Sequence, residues 1–251
     1  MTAVYTFSSR IRFSEADADG VLRLSSLIDY FQDCSTFQSE DVGYGVKKVL
    51  ATGHAWVVNA WQIEIRRLPH MGDNVTIGTN PYEFRGFMGL RNFFMASESG
   101  EKLALANSVW SYLNLENGQL ERAPEEMKEA YGIGEKLEME YLSRKIPFPT
   151  DGEIIDAPQV CVQTSHLDAN RHVNNGQFIK IAMEAAFGDT DPAAERIRAE
   201  YKMQAHLGDV FYPRICRGSD GVVTIALNDA ENKVYCSVEV KTQKKREAAI
   251  V

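Results

Sequence analysis

Apolar residues recur along the first half of the chain with two periods, one typical of a helix and one of a strand. An early stretch has the spacing of the buried face of a helix, at Leu24, Leu27, Ile28, Phe31 and Cys34. The stretch 61–66 alternates apolar and polar residues, which predicts a half-buried strand. Further strand-like runs lie at 75–79, 90–96 and 103–115. The pattern therefore predicts one long helix followed by antiparallel strands.

The second half of the chain has the same order of elements. Its helical stripe consists of Phe178, Ile179, Ala182 and Ala186, and its strand-like runs are 160–164, 197–203, 210–215, 222–227 and 234–241. Turn residues such as those at 220–221 separate the later runs. A long helix that covers one face of a curled antiparallel sheet buries the apolar faces of both. Each half is therefore predicted to be an α+β unit with one helix and about five strands.

Two sequence matches indicate that the halves are copies of one unit. Residues 14–28 align with 165–179 at an offset of 151, and the two segments share serine, aspartate, alanine and isoleucine positions. Residues 61–73 align with 197–209 at an offset of 136, with matching Glu, His, Gly and Asp. Two matches in the same order favour duplication over coincidence. We predict a first domain at 1–125, a helical linker at 126–149 that begins after Pro124, and a second domain at 150–251.

Composition and charge narrow the class of protein. The 251 residues are 44% hydrophobic and 25% charged, as in an ordinary globular protein, and the net charge is −8. A net acidic chain argues against nucleic-acid binding. No run approaches a membrane span of roughly 20 apolar residues, and the start has no apolar leader, so we expect a cytoplasmic protein. Four scattered cysteines and five histidines show no metal-ligand spacing, and no nucleotide-binding pattern is present, so no metal or cofactor is expected.

The two copies differ in one polar loop that precedes a helix. The second copy has Asp168, Asn170 and His172, whereas the matching positions of the first copy include Asp19 and Val21. Histidine exchanges protons near neutral pH, and a helix N-terminus offers N–H groups that can stabilise an oxyanion. The alternative is structural, because Asp and Asn are ordinary helix caps and a loop histidine can simply bind backbone groups. The spacing alone leaves both interpretations open.

The string LDANRHVNNGQFI resembles the Asp-x-Asn-x-His-Val-Asn-Asn signature of acyl-acyl carrier protein thioesterases. The strings DADGVLRLSSLIDYFQDCSTFQSEDVG and EYKMQAHLGD are also similar to that family, so the resemblance covers most of the chain. It implies a tandem, or double, hotdog fold of two helix-in-sheet units. It also implies hydrolysis of the thioester of a fatty acyl group carried on the phosphopantetheine arm of acyl carrier protein.

By position, the resemblance implies that Asn170 and His172 are catalytic and that Asp168 supports them. Plant members have a Glu-Cys pair where this chain has Gln204 and Ala205. A cysteine nucleophile is therefore absent at that place, and attack by water is favoured. We expect His172 and Gln204 to hold and activate that water.

Two further groups of residues complete the expected site. The backbone N–H groups of Val173, Asn174 and Asn175 are expected to bind the oxyanion. The family places the acyl tunnel largely in the first half, where Leu27 and Phe31 are candidates for its wall. His70 and His206 occur at matching positions of the two copies, and we expect both to be structural.

An acidic carrier protein and an acidic chain require a local basic surface. Two groups of cations are candidates: Lys241, Lys244, Lys245 and Arg246 near the C-terminus, and Arg66, Arg67 and Lys202 at matching places. Three alternatives stay open, namely an acyl-coenzyme A thioesterase, a non-catalytic acyl-binding protein and a hydratase, of which the signature disfavours the last. The residues also leave the oligomeric state open, a homodimer included.

Overall fold

A computed structural model describes residues 4–168, 170–189 and 191–243. The chain forms two compact units, Met1–Arg144 and Lys145–Val251. The boundary between the units lies within the segment that the sequence assigns to a linker. In that segment helix α3 covers Glu125–Tyr131, and the chain from 132 to 152 contains neither helix nor strand.

The first unit is one long helix on a five-stranded antiparallel sheet. The sheet has the order β1-β3-β4-β5-β2. Its elements are β1 (Tyr5–Arg10), α1 (Leu24–Asp41), α2 (Val46–Thr52), β2 (His54–Ile65), β3 (Asn74–Arg85), β4 (Met88–Ser97), β5 (Lys102–Asn114) and α3. The predicted helix and the four predicted strands are confirmed, and β1 and α2 are additional.

Helix α1 is held against this sheet by the apolar stripe that the sequence predicts. All five residues of the stripe are buried. Phe31 packs against two aromatic residues of the sheet, with its ring centroid 6.2 Å from that of Trp61 and 5.5 Å from that of Phe93. The Sγ atom of Cys34 lies 3.7 Å from the carbonyl oxygen of Ile77. Burial of this stripe fixes which face of α1 meets the sheet.

The second unit repeats this arrangement with a shorter helix. Its sheet has the order β8-β11-β10-β9-β6, and β7 also pairs with β9. Its elements are β6 (Glu153–Asp156), β7 (Val160–Cys161), α4 (Asn175–Phe187), β8 (Ala194–Tyr201), β9 (Val210–Arg217), β10 (Val222–Asn228) and β11 (Val234–Thr242). The strand predicted at 160–164 is wrong after residue 161, because residues 164–166 form a 3-10 turn. Both units are α+β hotdogs, as expected.

Buried amide side chains hold residues 132–144 on the sheet of the first unit. The Asn92 Oδ1 atom accepts the backbone N–H of Leu137 at 3.0 Å and the hydroxyl of Tyr141 at 2.9 Å. Gln62 accepts the N–H of Leu142 at 2.9 Å and donates to the carbonyl oxygen of Glu140. Because these buried amides find their partners among the backbone groups of residues 132–144, the segment packs with the first unit.

We expect Asn92→Ala to lower the free energy of unfolding by about 3 kcal/mol, because buried groups lose their hydrogen-bond partners. Asn92 is fully buried, and its amide nitrogen also donates to the carbonyl oxygen of Ala106 at 3.1 Å. Urea unfolding measures the change. Asn117→Ala removes an exposed turn amide and is the control, with an expected loss under about 1 kcal/mol. Equal losses in the two variants would contradict the account.

Candidate active site

The carboxylate of Asp168 organises the loop that carries the thioesterase-like signature. Its Oδ1 atom accepts the backbone N–H groups of Asn170 at 2.8 Å and of His172 at 3.2 Å. The N–H of Asp168 donates to the carbonyl oxygen of His172 at 2.8 Å, and that of Arg171 donates to the carbonyl oxygen of Asp168 at 3.0 Å. The loop is therefore a tight turn whose shape is fixed by one side chain and the backbone.

The first unit contains the same loop with the same hydrogen bonds. The Oδ1 atom of Asp17 accepts the N–H groups of Asp19 at 3.0 Å and of Val21 at 2.9 Å. The N–H of Asp17 donates to the carbonyl oxygen of Val21 at 2.8 Å, and that of Gly20 donates to the carbonyl oxygen of Asp17 at 3.1 Å. The two loops share one backbone frame and differ in the side chains they present.

One backbone position in this frame is left-handed in both copies. Gly20 has a φ of 76°, and Arg171 occupies the matching position with a φ of 63°. This region suits glycine, and other residues adopt it at a cost of about 1 kcal/mol or more. The second copy keeps the turn despite the arginine, because Asp168 holds the residues on either side of it.

The loop is tied to the segment that follows β8. The N–H of Val173 donates to the carbonyl oxygen of Ala205 at 2.9 Å, and both residues are buried. His172 is half-buried, whereas Asn170 and Gln204 are exposed. Among the described residues, no hydrogen bond joins the side chains of Asn170, His172 and Gln204.

Two of the three backbone N–H groups expected to bind an oxyanion are already used within the protein. The N–H of Val173 donates to Ala205, and that of Asn174 donates to the carbonyl oxygen of His166 at 2.9 Å. The Asn174 side chain also caps α4 by accepting the N–H of Gly176 at 2.7 Å. The backbone N–H groups of Val173 and Asn174 are therefore not available to bind an oxyanion. The role of Asn175 stays a prediction; its carbonyl oxygen accepts the hydroxyl of Tyr201.

The structure adds a residue that the sequence reasoning set aside. The imidazole of His206 meets that of His172 edge to face, with ring centroids 4.9 Å apart and an interplanar angle of 79°. The matching pair in the first unit is Val21 and His70, which form an isolated antiparallel bridge. The sequence contained an indirect signal of this contact. When the two copies are aligned, His172 matches Val21 and His206 matches His70, so both copies have a histidine at the second of these positions.

Three of the four cysteines are poor nucleophiles because they are buried. These are Cys34, Cys216 and Cys236. Burial raises the pKa of Cys34 to about 12, and it also raises the pKa of Cys236. Cys161 is exposed on β7. In the part of the chain that the structure describes, no group of acidic, cysteine or histidine side chains could hold a metal ion.

The two candidates for the acyl tunnel wall lie in the core of the first unit. Leu27 and Phe31 are residues of α1, and both are fully buried on its sheet-facing side. The same unit has a cavity of about 570 Å³, and its lining includes Tyr44, Trp56, Tyr112 and Met127 but neither Leu27 nor Phe31. Their role in the tunnel therefore stays a prediction.

Several of the candidate docking cations are paired with carboxylates. Arg67 binds Glu101 at 2.7 Å, and this contact holds the pKa of Glu101 below its ordinary value. Lys202 lies 3.5 Å from Glu200, and Lys241 lies 3.7 Å from Glu195. Arg66 is exposed. The candidates Lys244, Lys245 and Arg246 lie outside the described residues.

No helix in the described ranges is long and apolar enough to cross a membrane.

The fold and the loop are those of a tandem hotdog protein, and comparison with known proteins gives the family. Residues 2–131 match the family model of the acyl-ACP thioesterase N-terminal domain. The matched residues make up more than half of this chain. The chain therefore belongs to the acyl-ACP thioesterase family.

Individual relatives are distant. The chain is 28% identical over 198 residues to the chloroplastic palmitoyl-acyl carrier protein thioesterase of Gossypium hirsutum, a match that covers 73% of this chain and 47% of that protein. It thus spans about half the length of the curated relatives it matches.

Solved structures confirm the fold. An acyl-ACP thioesterase from Bacteroides thetaiotaomicron has a TM-score of 0.83 at 20% identity, covering 95% of this chain and 97% of that chain. The 12:0-ACP thioesterase from Umbellularia californica has a TM-score of 0.80 at 18% identity, covering 96% and 97%.

Proposed function

We propose that this chain hydrolyses the thioester of fatty acyl-acyl carrier protein and releases free fatty acid. The observation that carries the proposal is the pair of loops with one backbone frame. The second loop presents Asn170 and His172, where the first presents Asp19 and Val21. Because the frame does not require these side chains, their presence in one copy favours a chemical role.

The proposed reaction is direct attack by water. The His172 imidazole removes a proton from a water molecule, which the amide of Gln204 helps to hold. The water oxygen forms a bond to the thioester carbonyl carbon, and the carbon–sulfur bond then breaks. The sulfur of the phosphopantetheine arm leaves as a thiolate and takes up the proton that His172 carries. The products are a fatty acid and the free thiol.

The developing oxyanion needs a donor other than the N–H groups of Val173 and Asn174. The Asn170 side chain is exposed on the same loop as His172, and its amide N–H groups can donate to the carbonyl oxygen. A donor of this kind stabilises the tetrahedral intermediate more than the substrate. We therefore assign Asn170 to the oxyanion and leave Asp168 the task of shaping the loop.

The proposed carrier is acyl carrier protein rather than coenzyme A, as the names of the relatives suggest. That carrier is acidic, and so is this chain, so a local basic surface must guide docking. The described candidates are Arg66, Arg67, Lys202 and Lys241. All of these except Arg66 are partly neutralised by a carboxylate partner.

A thiol-release assay on matched acyl-carrier protein and acyl-coenzyme A tests the function and the carrier together. We expect kcat/KM for acyl-carrier protein to fall about tenfold as salt rises from about 0.05 M to about 0.5 M, because salt screens docking charges. The coenzyme A substrate of equal chain length should be slower and less sensitive to salt.

Other outcomes of the same assay would contradict the proposal. Faster turnover of acyl-coenzyme A, with flat salt dependence for both substrates, would identify an acyl-coenzyme A thioesterase. Binding of the acyl carrier without any release of thiol would identify a non-catalytic acyl-binding protein.

A further inference from the structure

We propose that His206 is a positioning residue that holds the imidazole of His172 in its reactive orientation. The inference rests on the proposed function, since it concerns the same site. The two rings meet edge to face, with centroids 4.9 Å apart and planes at 79°. Aromatic rings prefer this geometry at separations of roughly 4.5–7 Å.

A general base usually needs a third group to orient it, and a hydrogen bond to the base normally does this. Among the residues that the structure describes, the His172 side chain makes no hydrogen bond, and its ring contact is with His206. The loop fixes the backbone of His172 through Asp168 but does not fix rotation of the side chain. Packing against the ring of His206 restricts this rotation of the His172 side chain.

His206 can act as a support because hydrogen bonds hold the backbone of its own turn. Its backbone N–H donates to the Oδ2 atom of Asp209 at 2.8 Å, and the N–H of Asp209 donates back to its carbonyl oxygen at 3.1 Å. The carbonyl oxygen of Asp209 accepts the N–H of Val162 at 2.8 Å. These contacts hold the backbone of the segment that carries the His206 side chain.

The Asp209 carboxylate does not depend on the His206 ring for its partner. Its Oδ2 atom accepts the backbone N–H of His206 at 2.8 Å. The Nδ1 atom of His206 lies 3.9 Å from that carboxylate, beyond hydrogen-bond distance. The ring therefore remains available for the contact with His172.

The first unit has the same turn without the same ring contact. The N–H of His70 donates to the Oδ2 atom of Asp73 at 2.9 Å, as in the second unit. The residue opposite His70 is Val21, not a histidine. The turn is thus formed by the backbone and an aspartate in both copies, and only the second histidine faces a proposed catalytic ring. His70 is therefore a matched control for His206.

Three variants test the proposal in the full chain: His206→Ala, His206→Phe and His70→Ala. We expect His206→Ala to lower kcat about 10–100-fold with KM changed less than about threefold, because a misoriented base slows the chemical step rather than binding. Phenylalanine keeps the ring packing and should restore kcat to within about threefold of wild type. His70→Ala should leave kcat unchanged.

A second measurement does not depend on turnover. The imidazole proton resonances of His172 should shift in His206→Ala, because the ring current of His206 is lost, and should stay closer to wild type in His206→Phe. If the wild-type chain releases no thiol while these shifts occur as expected, the proposed function fails and the ring contact stands.

The positioning role is overturned if His206→Ala and His70→Ala both keep wild-type kcat. It is also overturned if His206→Phe is as slow as His206→Ala, since the ring nitrogens would then be required. Unchanged His172 resonances in His206→Ala would show that the two rings do not meet. Urea unfolding midpoints of the variants separate these results from loss of fold.

Discussion

Replacing His172 by valine should lower kcat for thioester hydrolysis by roughly 10²–10⁴-fold, the usual effect of losing a general base. Valine is the informative substitution because the first unit has Val21 at the matching position, in a loop with the same hydrogen bonds. The loop can therefore keep its shape while the imidazole is lost. Thiol release from acyl-carrier protein measures the change.

The control for this variant is Val21→Ala, which alters the matching position of the first unit. It should leave kcat within about twofold of wild type, because that loop has no proposed chemical role. Wild-type turnover by a folded His172→Val chain would remove His172 from the mechanism. A comparable loss in Val21→Ala would mean that both loops are needed for activity.

Replacing Asp168 by alanine should lower kcat about 10²-fold by moving the reactive groups rather than removing one. The carboxylate is the acceptor for the N–H groups of Asn170 and His172, and it spans the left-handed residue Arg171. Without it, we expect the turn to relax and both proposed catalytic side chains to lose their placement. Asp168→Asn keeps an Oδ1 acceptor and should retain most of the rate.

Asp17→Ala is the matched control for this second change. Asp17 makes the same two hydrogen bonds in the first unit, at 3.0 Å and 2.9 Å. Each alanine variant should lose about 1–2 kcal/mol of unfolding free energy, but Asp168→Ala alone should lose activity. Equal losses of kcat in the two variants would indicate a general effect on the fold.

The elements with a strong hydrophobic period were predictable from the sequence. The stripe of α1 and the alternation in β2 each arise from burial against one face of a sheet, so the period survives in the residues. The duplicated loop was also predictable, since four identities at one offset mark it. The short strand β6 has a fully exposed burial pattern, so it leaves no such period.

Details of the site that depend on distant contacts were not predictable. The N–H groups of Val173 and Asn174 donate to the carbonyl oxygens of Ala205 and His166, respectively. No local sequence pattern predicts these pairings. The contact between His172 and His206 forms only when two separate segments pair. The presence of His70 in the first copy favoured a structural interpretation of His206, because the sequence showed the shared turn and not the ring opposite it.

Direct attack by water is the central claim, and single-turnover hydrolysis with enzyme in excess tests it most directly. Quenched samples give the rates of thiol and fatty acid formation, and mass spectrometry detects any acyl group on the chain. We predict one shared rate constant for both products and no acylated protein. A burst of thiol ahead of fatty acid, with an acyl group on the exposed Cys161 or another side chain, would contradict the account.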